Sequence, residues 1–309
     1  MSAQPAWEAD AMEAAQSLAS CTITTDVPAE VYHQRRLDVA SASGLKLMLR
    51  SPAHFKHWCE DPEADRESPA LTFGRAFHMA TLEPDVFERT YTVVPANAPR
   101  YPTAAQWNAK KPSADSIAAM DWWRAWEAEN AGRVKLSSDD YDRARYMAES
   151  VRAHPVAAGL LVGGDREVTF NWTDEETGLD CKARADLYLG GEYLMDLKTC
   201  RDASHEGFAR AVTSYMYALQ QAHYLSGIRT CGDRIRYFLF LAVESEAPYV
   251  CQPYALDVQA EQLGEAQRRK AMRRQAECVR TGKWPGYSEN LEELTLPAWA
   301  HYGIEDEAA

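Results

Sequence analysis

Apolar residues recur at helical spacing through the first half of the chain and alternate with polar ones after Glu167, and that change of period divides the sequence into elements. Ser41-Ala42-Ser43 precedes Leu45, Leu47, Met48 and Leu49, which predicts a serine-capped helix; Pro52 opens a second element carrying Phe55 and Trp58. Thr72 to Leu82 reads as a helix, with Phe73, Phe77 and Ala80 on one side and Pro84 at its end. Residues 95–116 hold Pro95, Pro99, Pro102 and Pro112 and read as a long surface loop. Residues 117–131 and 137–153 read as helices, the first rich in tryptophan. Val168, Phe170 and Trp172 then alternate, Asp174 to Gly178 turns, and Cys181 to Leu189 and Tyr193 to Leu197 follow, which predicts a three-stranded meander over Glu167–Lys198. An amphipathic helix over 203–226, a buried strand over 235–243, a strand over 249–256 and a long charged helix over 257–281 complete the order. Helices, antiparallel strands, then a mixture of both predict an α/β layer arrangement with a mixed sheet and no internal repeat.

The meander carries the chemistry. Asp186 in Ala185-Asp186-Leu187 and Asp196 in Met195-Asp196-Leu197-Lys198 flank Gly190-Gly191-Glu192, a turn that pairs the two segments as a hairpin. With a three-residue loop, Asp186 faces Asp196 across the ladder, close enough to share a divalent ion. Residues i and i+2 of a strand share a face, so Lys198 projects beside Asp196 while Met195 and Leu197 turn to the buried side. Two carboxylates and an ammonium in one place suit phosphodiester hydrolysis, which needs an activated water and positive charge on the developing phosphorane. Asp186 and Asp196 are the expected ligands of Mg²⁺, the Leu197 carbonyl is a further candidate oxygen, and Lys198 would orient or deprotonate water. Four other groups have two readings each. Glu167 opens the meander beside Asp186 or is a strand-edge charge; His78, one turn after Gly74, is a ligand or a core histidine. Gln220 and Tyr224 share a helix face and either touch the substrate or pack in the core.

Charge at first argues against a nucleic-acid enzyme, because the net value is −13. The ends carry most of it. Residues 1–30 contribute −5 and residues 287–309 contribute −6, which leaves −2 for the middle. Within that middle, Arg268, Arg269, Lys270, Arg273, Arg274, Arg280 and Lys283 form a basic segment that reads as a DNA path or as a solvated helix face. An acidic arm over 1–30, one domain over 31–300 and an acidic tail over 301–309 are expected. The arm, with five acids and no Lys or Arg, is the opposite of a secretory leader, and the longest apolar run, Tyr237 to Val243, is too short for a membrane. A cytoplasmic chain without a membrane partner is expected. Seven cysteines without a C-x-x-C predict reduced, buried thiols and no zinc ribbon or iron–sulfur cluster.

Gly74-x-x-x-His78, Glu167, Asp186, Asp196-x-Lys198 and Gln220-x-x-x-Tyr224, in this order, resemble the motif series of the PD-(D/E)xK nuclease superfamily in its RecB-like branch. Within that superfamily the chain resembles more closely the RecE-type exodeoxyribonuclease VIII nuclease domain, over about residues 32–300. That similarity runs through Tyr32-His33, Ser41-x-Ser43 before Ser51-Pro52-Ala53, Leu82-Glu83-Pro84, Trp172 with Glu176-Thr177-Gly178, and Leu294-x-Leu296-Pro297-x-Trp299-Ala300. One departure is Ala185-Asp186, where the family has Pro-Asp. The resemblance implies a restriction-endonuclease-like core with a mixed central sheet flanked by helices. It implies a Mg²⁺-dependent exonuclease that degrades linear duplex DNA from the 5′ end, leaves 3′ overhangs, works with a RecT-like annealing protein in phage-type recombination, and forms a ring-shaped homo-oligomer. His78, Asp186 and Asp196 would bind metal, Glu167 would serve a second ion, Lys198 would be the catalytic lysine, and Gln220 and Tyr224 would support the site. His among carboxylates suggests that Mn²⁺ substitutes. Arg75, near His78, and Arg268, Arg269, Arg273 and Arg274 are the expected DNA contacts. An endonuclease or single-strand nuclease of the same fold, and a non-catalytic DNA-binding or annealing module, are the alternatives.

Overall fold

The computed structural model describes residues 21–25, 27–61 and 68–297; the first twenty residues, Trp299-Ala300 and the acidic tail lie outside them. The longer helices are α1 (Ala42–Arg50), α2 (Pro52–Glu60), α3 (Pro69–Leu82), α4 (Ala114–Glu129), α5 (Ser138–Ala153), α6 (His205–Ser214), α7 (Tyr217–Thr230) and α8 (Val258–Thr281). The strands are β1 (Cys21–Thr24), β2 (Val39–Ala40), β3 (Tyr91–Val93), β4 (Val134–Leu136), β5 (Asp165–Thr173), β6 (Asp180–Leu189), β7 (Tyr193–Cys200), β8 (Tyr237–Glu244) and β9 (Cys251–Tyr254).

The main sheet runs β1-β5-β6-β7-β8-β9, with β2 added beside β6. Pairing is antiparallel from β1 to β7, parallel between β7 and β8, and antiparallel again to β9. Each central strand feeds two cores because its side chains alternate. Leu194, Phe240 and Ala242 meet the side covered by α1, α6, α7 and α8, whereas Met195, Leu197, Leu241 and Val243 meet the side covered by α3 and α5. The result is a mixed sheet between two helical layers.

Local signals account for most boundaries. Ser41 caps α1 through Gly44 N, and Ser51 caps α2 through His54 N, with Pro52 in its first turn. The β6–β7 loop is the expected three residues, since Leu189 pairs with Tyr193. Elsewhere the structure departs from the pattern. The sheet already begins at Cys21, inside the stretch read as an arm, because β1 completes the edge of β5. Cys21 is also disulfide-bonded to Cys231, with 5.3 Å between Cα atoms, so the expectation of reduced thiols fails for this pair. Cys181, Cys251 and Cys278 are free and buried. Pro84 opens a further helix, Pro84–Thr90, rather than only ending α3. The proline-rich stretch holds a capped turn of helix at Ala104–Trp107 and yields to α4 at Ala114. No helix among the described residues is long and apolar enough to cross a membrane.

The helix expected over 203–226 is two helices. Met216 adopts a left-handed conformation (φ 50°, ψ 49°) that costs a side-chain-bearing residue about 1–2 kcal/mol and breaks the run between α6 and α7. Gly264 of α8 lets the neighbouring helix come close, since a Cβ there would lie 2.2 Å from the Ala218 carbonyl oxygen of α7. That contact fixes the depth at which α7 sits over the sheet.

Candidate active site

The sheet loses its regularity where its acids lie. Along β5 and β6 the register pairs Arg166 with Leu187 and Val168 with Ala185, while the intervening Glu167 and Asp186 form no ladder pair. Glu167 has φ 52°, a strained value for a residue with a Cβ. The pleat slips there: Ala183 and Ala185 face the α7 side of the sheet, yet Leu187 faces the α3 side. On the other edge of β6, pairing with β7 stops at Leu187 and Met195, one residue before Asp186 and Asp196. Beyond that point β2 takes the place beside β6. Asp186 thus stands at the fork of the sheet, and its Oδ2 accepts from Leu197 N at 2.7 Å.

Three elements close around the fork. Strand β7 supplies Asp196, which is 2% exposed, and Lys198, whose Nζ is ion-paired with Asp196 Oδ2. Helix α7 begins at the Met216 break and turns Tyr217, Gln220 and Tyr224 toward the sheet; Gln220 Nε2 donates to Asp196 Oδ1 at 2.6 Å. Helix α3 brings His78, whose Nδ1 lies 3.6 Å from Asp186 Oδ2. All of these line one cleft of about 860 Å³, together with Arg75 and Gly74. At Gly74 no protein atom lies within 4 Å of where a Cβ would be, so it leaves open space in the cleft instead of admitting another backbone.

The charges of the cleft are imperfectly matched. Burial, and then the Asp186 charge, push the Glu167 carboxyl up to about 7 against the pull of Arg184, whose Nη1 is 3.7 Å away. Burial likewise raises Asp186 above the ordinary carboxylate range, with His78 opposing and Asp196 adding to it. Burial pulls Lys198 down, but Asp196 and Asp186 outweigh it and leave the ammonium above its usual value. Tyr224 is raised well above 10 by burial and by the nearby Tyr32 and acids. Asp196 Oδ2 is buried without a well-directed hydrogen bond, although the Lys198 ammonium abuts it. A buried carboxylate oxygen with spare lone pairs suits a hard cation.

Those donors fit a metal of the Mg²⁺ class by chemistry and not as a preformed cage. Among the described residues no three His, Cys, Asp or Glu side chains converge tightly enough to enclose an ion. Mg²⁺ ordinarily keeps several waters and takes one or two carboxylates plus substrate phosphate, so an open carboxylate set is what its chemistry requires. Leu197 enters the site through its amide, which holds Asp186, while its side chain is anchored in the core.

The arginines of α8 do not reach the cleft. Arg268 is buried in ion pairs with Asp174 and Glu265, Arg269 pairs with Glu265, Arg273 pairs with Glu176, and Arg274 donates to the Met48 carbonyl oxygen. Arg268 is therefore consumed within the fold, whereas Arg269, Arg273 and Arg280 stay on the surface in ion pairs with neighbouring acids. Two contributors had no catalytic expectation attached to them. Tyr32 packs on the Arg184 guanidinium at 4.2 Å and feels Glu167, Asp186 and Asp196, and its phenol is raised chiefly by burial. Lys46 of α1 lines the cleft with its ammonium lowered to about 8 by burial and by Lys198. Tyr32 stood within the Tyr-His pair of the sequence similarity; Lys46 sits one turn into a helix that the serine cap announced.

The sequence model of a family described as "PDDEXK-like domain of unknown function (DUF3799)" matches residues 41–297. Among solved structures, that of a "putative exonuclease" from Eubacterium rectale superposes with a TM-score of 0.53 at 13% identity. The superposition covers 91% of this chain and 99% of that one, a likeness of fold. No curated protein matches the chain significantly in sequence.

Proposed function

Because this chain belongs to the PDDEXK-like family of domains, we propose that it is a metal-dependent exonuclease acting on the ends of linear double-stranded DNA. The observation that carries this reading is the convergence of Glu167, Asp186, Asp196, Lys198, Gln220 and His78 on one cleft at the fork of the sheet. Asp186 and Asp196 would hold the ion, with Glu167 and His78 at its margin. Bound there, Mg²⁺ or Mn²⁺ would activate water and neutralise charge on the phosphorane. Lys198, protonated between two carboxylates, stabilises the developing negative charge on a phosphate oxygen. Gln220 holds the Asp196 carboxylate in orientation through Oδ1, leaving Oδ2 toward the reaction. Tyr32 and Arg184 wall off the Glu167 side of the cleft.

Direction and setting rest on the motif series shared with RecE-type nucleases. It supports 5′→3′ digestion that leaves 3′ overhangs for a RecT-like annealing protein in phage-type recombination, in the cytoplasm, by a ring-shaped homo-oligomer. The test is digestion of linear and covalently closed duplexes with either end labelled, in Mg²⁺, Mn²⁺ and EDTA. Linear-only, metal-dependent release of nucleotides from the 5′ ends is the expected result. Cutting of closed circles would establish an endonuclease, and binding without any cleavage would establish a non-catalytic module.

A further inference from the structure

The cations that line the cleft differ in what already holds them. Lys198 is paired with Asp196. Arg184 gives Nη2 to the Val27 carbonyl oxygen at 2.7 Å and Nε to Thr169 Oγ1 at 3.1 Å, and faces Glu167. The Lys182 ammonium is bound by the carbonyl oxygens of Tyr32 and Gln34. Lys46 stands apart. Its close contact is the face of the Tyr217 ring, 5.3 Å from Nζ to the centroid, and the Asp196 carboxylate attracts it without forming a salt bridge among the described residues. Lys198 Nζ lies 4.8 Å from the centroid of that same ring. Tyr217 is itself braced by stacking on Phe240 at 5.6 Å and Tyr215 at 5.7 Å, so the platform beneath the two ammonium groups is fixed.

A half-buried ammonium held by a π face and only a distant carboxylate, with a second ammonium nearby, is under-compensated. An anion delivered into the cleft would relieve it, and the second ammonium on the same ring would share that anion's oxygens. We infer that Lys46 grips a phosphate oxyanion of the nucleic-acid strand next to the catalytic centre, with Tyr217 as the platform that sets Lys46 beside Lys198. Lys46 is thus a substrate-binding residue contributed from the helix layer, nearly 150 positions before the catalytic strand. The inference rests on the nuclease reading for its ligand.

The test compares wild type, Lys46→Ala, Lys46→Arg and Lys198→Ala by two measurements. One is cleavage kinetics of linear duplex in Mg²⁺; the other is equilibrium binding of the same duplex in EDTA across a range of salt. Lys46→Ala should raise KM about ten-fold or more with a much smaller change in kcat, the scale of one charge-assisted hydrogen bond. It should also lower the slope of log Kd against log salt by about 0.9, one phosphate contact. Lys46→Arg should recover most of both, and Lys198→Ala should instead lose kcat. Duplexes with 5′-hydroxyl and 5′-phosphate ends separate the sources: equal loss on both places an internal diester at Lys46, and loss on the phosphorylated end alone places the terminal monoester there. Unchanged KM and salt slope in Lys46→Ala would overturn the inference, as would an equal defect in Lys46→Ala and Lys46→Arg accompanied by a lowered melting temperature. If wild type cuts no DNA, the nuclease reading falls, while the salt slope in EDTA still decides whether Lys46 meets phosphate.

Discussion

Helix α8 and the fork of β6 and β7 are both crowded with charge, and they handle it in opposite ways. On α8 four of the five arginines are matched by acids: Arg268 lies between Asp174 and Glu265, Arg269 meets Glu265, Arg273 meets Glu176, and Arg280 meets Glu277. At the fork the groups are held out of balance. Glu167 is pushed up to about 7, Lys46 is pulled down to about 8, and Asp196 Oδ2 is buried without a directed hydrogen bond. Charge density alone therefore says little about function. Charge that the fold leaves uncompensated, in a cleft and beside strained backbone, is the more telling sign.

The comparison breaks most sharply at Lys198. Lys198→Ala should lower cleavage by at least ~10³-fold, the scale of losing a preorganised electrostatic stabiliser. Because Asp196 is enclosed, the same change also costs stability, which a thermal melt reads separately. A folded variant that keeps more than a tenth of the wild-type rate would remove Lys198 from the mechanism. On α8 the signs reverse: Arg268→Ala strands the buried Asp174 and should cost about 3–5 kcal/mol of unfolding free energy. Its specific activity per folded molecule should stay near that of wild type. A large loss of rate in a folded Arg268 variant would mean that α8 belongs to the DNA path after all.

Gly264→Ala tests how the two regions are joined. The added methyl would collide with the Ala218 carbonyl oxygen, and overpacking of this kind costs about 1–3 kcal/mol. Since α7 carries Gln220 and Tyr217, the shift should also reduce kcat; chemical denaturation and kinetics on one preparation would check both.

The smallest effect is expected from pH. The folded-state pKa of Glu167 lies above its ordinary value of 4.5, so between about 4.5 and 7 the folded protein keeps a proton that the unfolded chain has released. Stability of the metal-free protein should fall as pH rises through that window, and Glu167→Gln should remove this part of the slope. The Glu167 side chain is 42% exposed, so solvent screening keeps the effect small. A melting-temperature series in EDTA measures it, and a Gln variant with an unchanged profile would refute it.

Much of this arrangement was legible before any coordinates. Alternation in the meander, the serine caps and the Gly-Gly loop are short-range features, and they predict β6, β7, α1 and the three-residue hairpin loop because turn geometry sets hairpin register locally, although the ladder ends at Leu187 and Met195, one pair short of the expected facing of Asp186 and Asp196. The spacing of Gln220 and Tyr224 likewise follows from the helix repeat alone. What lies across the sheet or between layers had no local signature. The slip of the pleat at Glu167 and Asp186 is a strain held by surrounding packing, and the left-handed Met216 looks in sequence like any helical residue. The ion pairs that consume the α8 arginines come from acids as far as 97 positions away, and the Cys21–Cys231 bond spans 210. Lys46 and Tyr32 reach the acids only because α1 and the segment before it fold back over the fork. The sequence by itself determined which elements form and which residue types could do hydrolysis, since those depend on neighbours along the chain. Tertiary structure decided which charges are spent and which remain for a substrate, because compensation depends on whatever the fold brings within a few ångströms.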